Sequence, residues 1–191
     1  MYVPSADYAF VRQCLDHYFT LLSAGLDTTS SELHAELAGE FQLRPILLDP
    51  TDLRNLESRL PAPLPSAFRA YLTVGYFRGV EADEFYLPSV RESQPLAGVT
   101  PLLLASVLWP CGYLQFGLGP CGDPLCFDLS NTVPGGDYAI VAFNHDLIPP
   151  GAWAARSSLE PFAQPVAPSF RALLQRLCSP RNPSSASGSE A

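Results

Sequence analysis

Between residues 8 and 22 the apolar positions Tyr8, Val11, Cys14, Leu15, Tyr18, Phe19 and Leu22 recur at steps of three and four, which gathers them on one face of a helix. Ser5 or Asp7 can cap its start and Gly25 is expected to end it. Residues 27–39 begin polar and rich in capping side chains, with Leu33 and Leu37 four apart, and suit a short surface helix. Residues 41–48 look extended. Asp49, Pro50 and Asp52 then supply a cap, a first-turn proline and a first-turn acid for a helix that aligns Leu53, Leu56 and Leu60. Pro61, Pro63 and Pro65 form an elbow, and Pro65 starts another helix with Leu64, Phe68, Tyr71 and Leu72 together, closing at Gly75.

After Gly79 the pattern changes to short apolar runs between turn formers, as strands require. Residues 85–90 are the first candidate. The apolar run 101–109 is ambiguous between a buried helix and a strand. Residues 113–117, 125–129 and 138–143 are stronger strand candidates, and the turn-rich segments between them predict an antiparallel meander. Residues 168–178 put Phe170, Leu173, Leu174 and Leu177 on one helical face, and residues 179–191 have the composition of a disordered tail. Helices, then strands, then a closing helix predict an α+β fold.

Composition narrows the chemistry. The 191 residues, 47% of them hydrophobic, are enough to build a core, which excludes disorder of the whole chain. Charged residues make up 16%, and all eleven cations are Arg, so a Schiff-base lysine, a Walker-type phosphate loop and kinase chemistry are excluded. The net charge of −8 argues against direct binding of nucleic acid, which relies on clustered cations. Residues 1–52 are the most acidic part, with eight carboxylates against two Arg; such a surface suits either encounter with basic partners or plain solubility. No basic-then-apolar leader and no apolar run long enough for a membrane span is present, which predicts a soluble, cytoplasmic protein. The odd count of five cysteines predicts reduced, mostly buried thiols.

Three chemical constellations can be drawn from the residues. Cys111, Cys121 and Cys126 with His145 have zinc-ligand chemistry but lack the paired C-x-x-C spacing, and buried structural cysteines explain them more simply. One of those thiols with His145 as base and Asp146 as orienter would make a nucleophilic site, although neighbours on a strand point to opposite faces. His17 and His34 fall in helical patterns as ordinary polar residues. The carboxylates Glu81, Asp83 and Glu84, with Asp123 and Asp128 beside the central hairpin, suggest an acid–base pair or cation site, or an acidic rim without calcium-loop spacing. Gly117, Gly119 and Gly122 lie between strands and so lack the helix N-terminus of a phosphate loop.

Leu56-Glu57-x-x-Leu60, the Leu64-Pro65-x-x-Phe68-Arg69-x-Tyr71-Leu72 helix and Gly75 resemble the first half of the SUKH superfamily, the Smi1/Knr4-like domain. The second half agrees through Phe116-Gly117, Gly122-Asp123, Cys126-Phe127-Asp128-Leu129, Phe143-Asn144-His145-Asp146 and Ser169-Phe170. Val74-Gly75 stands where the family carries an asparagine–glycine pair, and residues 1–48 lie outside the pattern. The resemblance covers a domain over 49–178, which leaves an N-terminal helical extension over 1–48 and the tail over 179–191. It further implies a mostly antiparallel twisted sheet packed on helices and no catalytic activity, and neither a metal nor a cofactor is expected. Bacterial members of this type are mostly immunity proteins that bind toxins, and fungal members are regulatory scaffolds. A basic toxin domain is therefore the expected partner, with an intracellular scaffold as the alternative and a thiol-dependent enzyme or metal protein behind both. For the binding surface, Glu81, Asp83, Glu84 and Asp123 are the candidates for steering and Tyr76, Phe77 and Trp109 for aromatic anchors.

Overall fold

A computed structural model describes residues 6–24, 43–44, 48–82 and 84–177. The helix and turn expected over 25–39, Asp83, Cys178 and the tail lie outside them. In chain order the described helices are α1 (Ala6–Ala24), α2 (Pro50–Glu57), α3 (Ser66–Thr73), α4 (Thr100–Leu103), α5 (Arg156–Leu159) and α6 (Phe170–Leu177). The strands are β1 (Val80–Ala82), β2 (Phe85–Leu87), β3 (Tyr113–Leu118), β4 (Pro124–Val133), β5 (Asp137–Phe143) and β6 (Ala163–Ala167). They form one six-stranded sheet in sequential order, each antiparallel to the next. The architecture is α+β, as expected from the order of elements.

The two-residue period of the central strands sorts their side chains between two cores. Leu114 and Phe116 of β3, Leu125 and Phe127 of β4 and Ile140 and Ala142 of β5 share the core formed with α1, α3 and α6. Phe68 of α3 sits at its centre, fully buried, with the rings of Phe116, Phe127, Tyr71 and Phe170 within 4.9–5.9 Å. From α1, Val11, Cys14, Leu15 and Phe19 are buried in the same core. On the other face, Tyr113, Cys126, Val141 and Phe143 pack with Leu108, Cys111, Ile148, Ala152 and Leu159. These covering residues come largely from short 3-10 turns over Ser106–Cys111, His145–Leu147 and Pro150–Ala154, together with α5. Both faces of the central strands are therefore dry, which is why β3 to β5 carry so few charges.

Caps and close approaches fix the ends of elements. Asp49 accepts the Thr51 amide at 2.7 Å at the start of α2, and that bond holds its carboxyl below the ordinary range. Ser169 Oγ accepts the Ala172 amide at 3.0 Å, and Asp137 accepts the Phe170 amide at 3.1 Å, at the start of α6. Gly75 does not close α3 through a left-handed backbone, because its φ is not positive. It is required for room: a Cβ there would lie 2.6 Å from the Arg44 carbonyl oxygen. Arg44 and Tyr76 exchange backbone hydrogen bonds of 3.1 and 2.8 Å, so the chain before α2 is fastened directly behind this glycine.

Several elements differ from expectation. Residues 101–109 become the single turn of α4, with Pro101 in its first turn, followed by a 3-10 helix that contains Pro110. The strand expected over 85–90 ends at Leu87, and Val90 makes only an isolated bridge to Phe77. Strands β1 and β6 went unrecognised because each is short and carries a polar residue or a proline.

Candidate interaction surface

Six of the seven residues expected at a binding surface, all but Asp83, are described, and they separate by burial. Glu81 and Glu84 are exposed on the β1–β2 hairpin. Tyr18 of α1 fastens this hairpin, since its hydroxyl donates to the Glu81 carbonyl and accepts from the Glu81 amide, both at 3.0 Å. Tyr76 is half-buried, its hydroxyl accepting from Arg44 at 2.9 Å. Trp109 is also half-buried, and its indole donates to the Leu103 carbonyl at 3.2 Å. Phe77 is corrected to a core residue: only 3% exposed, its ring lies 5.0 Å from that of Tyr71 and 6.0 Å from that of Phe19. An aromatic so enclosed is not available as an anchor.

Asp123 is likewise corrected from a steering carboxylate to a buried structural one. It is 8% exposed, and its Oδ1 accepts the His145 amide at 2.9 Å and meets His145 Nδ1 at 2.5 Å. His145 sits in a 3-10 turn capped by Asn144, so the alternation argued for a strand does not apply. Asp146 reaches Nε2 of the ring at 3.4 Å from the other side. Asp123, the partner of this histidine, borders a cleft of about 320 Å³ together with Glu84, Asn144, Gln164 and Arg176. Arg176 is turned to the Val166 carbonyl at 2.7 Å. The cleft can receive a polar or cationic group from a partner at the end of the sheet that also carries the acidic hairpin.

The thiols do not gather around the imidazole. Cys126 is fully buried, and burial pushes its thiol well up, away from nucleophilic chemistry. Cys111 is buried with its thiol directed to the Trp153 carbonyl at 3.3 Å. Cys121 is exposed at the β3–β4 turn with a left-handed φ of 55°. Among the described residues, no group of three or more His, Cys, Asp or Glu side chains converges in a way that could hold a metal ion.

A second polar centre lies in the smaller core. Arg156 forks onto Asp128 with bonds of 2.9 and 3.0 Å, approaches the Cys111 carbonyl at 3.4 Å and lies 4.7 Å over the ring of Tyr113. Burial alone would raise the Asp128 carboxyl, but the bonds from Arg156 and Ser130 together outweigh it and hold it below its ordinary range. Neither this pair nor the Asp123–His145 contact was legible in the chain. The partners are 28 and 22 residues apart, and nothing in their local sequence specifies contact. The one available signal was a carboxylate at a strand position flanked by Phe127 and Leu129.

The fold and these surfaces define an α+β domain with a meander sheet covered on both faces and an exposed acidic hairpin at its edge. A profile of the SMI1/KNR4 family (SUKH-1) matches residues 47–176, and the chain belongs to that family. The match begins after α1, although α1 contributes to the main core. A search of curated proteins gives no match. The family is generally non-catalytic and points to protein–protein interaction. Among the described residues no helix is long and apolar enough to cross a membrane.

Proposed function

We propose that this chain is an immunity protein that neutralises a bacterial toxin by direct, stoichiometric binding, without chemistry of its own. Membership of the SMI1/KNR4 family carries this reading. The net charge of −8 and the exposed Glu81 and Glu84 beside the cleft of Glu84 and Asp123 support a basic toxin domain as partner. In this reading the acidic hairpin accelerates encounter, and the cleft receives a side chain of the toxin. Tyr76 and Trp109, each half-buried, present the aromatic edges nearest to anchors.

Co-expression with the product of the adjacent upstream gene tests the proposal. A toxic neighbour rescued by this chain, with a one-to-one complex on purification, is the expected result. A neighbour that is harmless and forms no complex removes the proposal, and several unrelated partners would favour an intracellular scaffold instead. Within a confirmed complex, reversing charge with Glu81→Arg and Glu84→Arg should slow association about tenfold at low salt and leave dissociation nearly unchanged.

A further inference from the structure

Asp123 is 8% exposed, yet the bonds that hold it engage only one of its oxygens. The His145 amide at 2.9 Å and the ring Nδ1 at 2.5 Å both meet Oδ1. Oδ2 has no hydrogen-bond partner among the described residues. It is not sealed from solvent either, since the buried side-chain polar atom left unpartnered among those residues is the Tyr113 hydroxyl. A sharp turn brings this carboxylate to its place: Cys121 and Gly122, just before it, have φ of 55° and 86°, and Gly119 donates its amide to the Asp123 carbonyl at 2.6 Å. His145 does not border the cleft of about 320 Å³ that Asp123 borders, so Oδ2 is the oxygen left available to that cleft.

Glu84 borders the same cleft from the β1–β2 hairpin, exposed and without a hydrogen bond or ion pair among the described residues. Arg176, the cation on the wall, donates to the Val166 carbonyl at 2.7 Å and leaves both acids unanswered. Phe85, Pro120, Pro165 and Val166 make part of the wall apolar. Two carboxylates from separate segments beside an apolar wall complement a long basic side chain, whose methylenes cover the wall while its head meets the acids. We propose that this cleft takes an arginine side chain of the partner protein, its guanidinium donating to Asp123 Oδ2 and to Glu84. A planar fork with five donors in fixed directions serves two separately placed carboxylates at once, which the compact ammonium of lysine does less well. The proposal rests on the protein-binding reading above and names the group that the cleft receives.

An NMR titration of the full chain with N-acetyl-L-arginine amide tests it, and the His145 amide, bonded to Asp123, is the reporter. The amides of Asp123, Asn144 and His145 should shift together and saturate with a Kd of about 1–10 mM. Glu84→Gln should weaken binding about three- to fivefold, and Asp123→Asn about tenfold if its melting temperature shows it folded. Glu81→Gln, on the same hairpin but outside the cleft, should change nothing, which separates the site from general attraction to an acidic surface. No saturable shift up to about 30 mM overturns the proposal, as does unchanged binding by Glu84→Gln or equal binding of N-acetyl-L-lysine amide or of the uncharged citrulline analogue. The probe needs no partner protein: a silent titration removes the arginine assignment and leaves toxin binding standing, whereas a failed co-expression leaves a saturating titration intact.

Discussion

Replacing Arg156 with alanine leaves Asp128 in the smaller core without its bidentate partner. The Asp128 side chain is 10% exposed and that of Arg156 27%, so the pair is mostly removed from water. Breaking such a pair from one side costs about 3–5 kcal/mol, because the remaining charge is buried and uncompensated. Asp128 retains the Ser130 hydroxyl at 2.8 Å and the Ser130 amide at 3.1 Å, which places the expected loss near the lower end, about 3 kcal/mol. The contact with Glu160 at 3.3 Å adds little, since that carboxylate is 60% exposed. For a chain of this size, about 3 kcal/mol lowers the melting temperature by about 6–12 °C. Urea and thermal unfolding followed by circular dichroism measure both quantities. The double variant Asp128→Leu/Arg156→Met should recover much of the loss, because it removes the stranded charge and keeps the volume. A loss below about 1 kcal/mol in Arg156→Ala, or a double variant less stable than the single one, would refute the argument that burial makes this pair interdependent.

Tyr113→Phe should raise stability by about 1 kcal/mol in the same unfolding assay. Its hydroxyl is the buried side-chain polar atom without a hydrogen-bond partner among the described residues, and burial pushes its pKa up to about 12. Acid should destabilise the protein through Asp128. Its folded pKa is depressed, so its contribution is present above the ordinary carboxyl value and is lost as pH falls from there through the lower, folded one. Asp137 acts oppositely: burial raises its carboxyl, so its contribution is present below the ordinary value and declines as pH rises through the raised one. Asp128→Asn should therefore flatten the acid limb of a stability–pH profile, and an unchanged limb would contradict the assignment. Iodoacetamide should modify Cys121 in the native protein and spare Cys14, Cys111 and Cys126 until unfolding, as peptide mass mapping would show.

Apolar periodicity identified α1, α2, α3 and α6 and the three central strands, because each buries a continuous stripe or an alternate row that composition alone betrays. The cap at Asp49 and the opening of α6 at Ser169 were likewise written locally, in residues that bond to amides two or three positions away. Short elements escaped that logic. β1 and β6 exist because neighbouring strands satisfy their backbones, and their own side chains carry too few apolar positions to announce them. The binding candidates fared similarly: Glu81 and Glu84 stayed on the surface, while Phe77 and Asp123 were drawn inward by α1 and by the turn at His145.

What the amino-acid order determined by itself was the class of the fold, the helical faces, the meander and the exclusion of lysine chemistry. Each follows from local spacing or composition. Tertiary structure alone decided that the sheet is covered on both faces, that Asp128 meets Arg156 and Asp123 meets His145, and that Glu84 and Asp123 border one cleft. These are contacts between segments far apart in the chain. Their energies depend on what surrounds both partners, and that environment exists only once the strands have paired and the helices have closed over them.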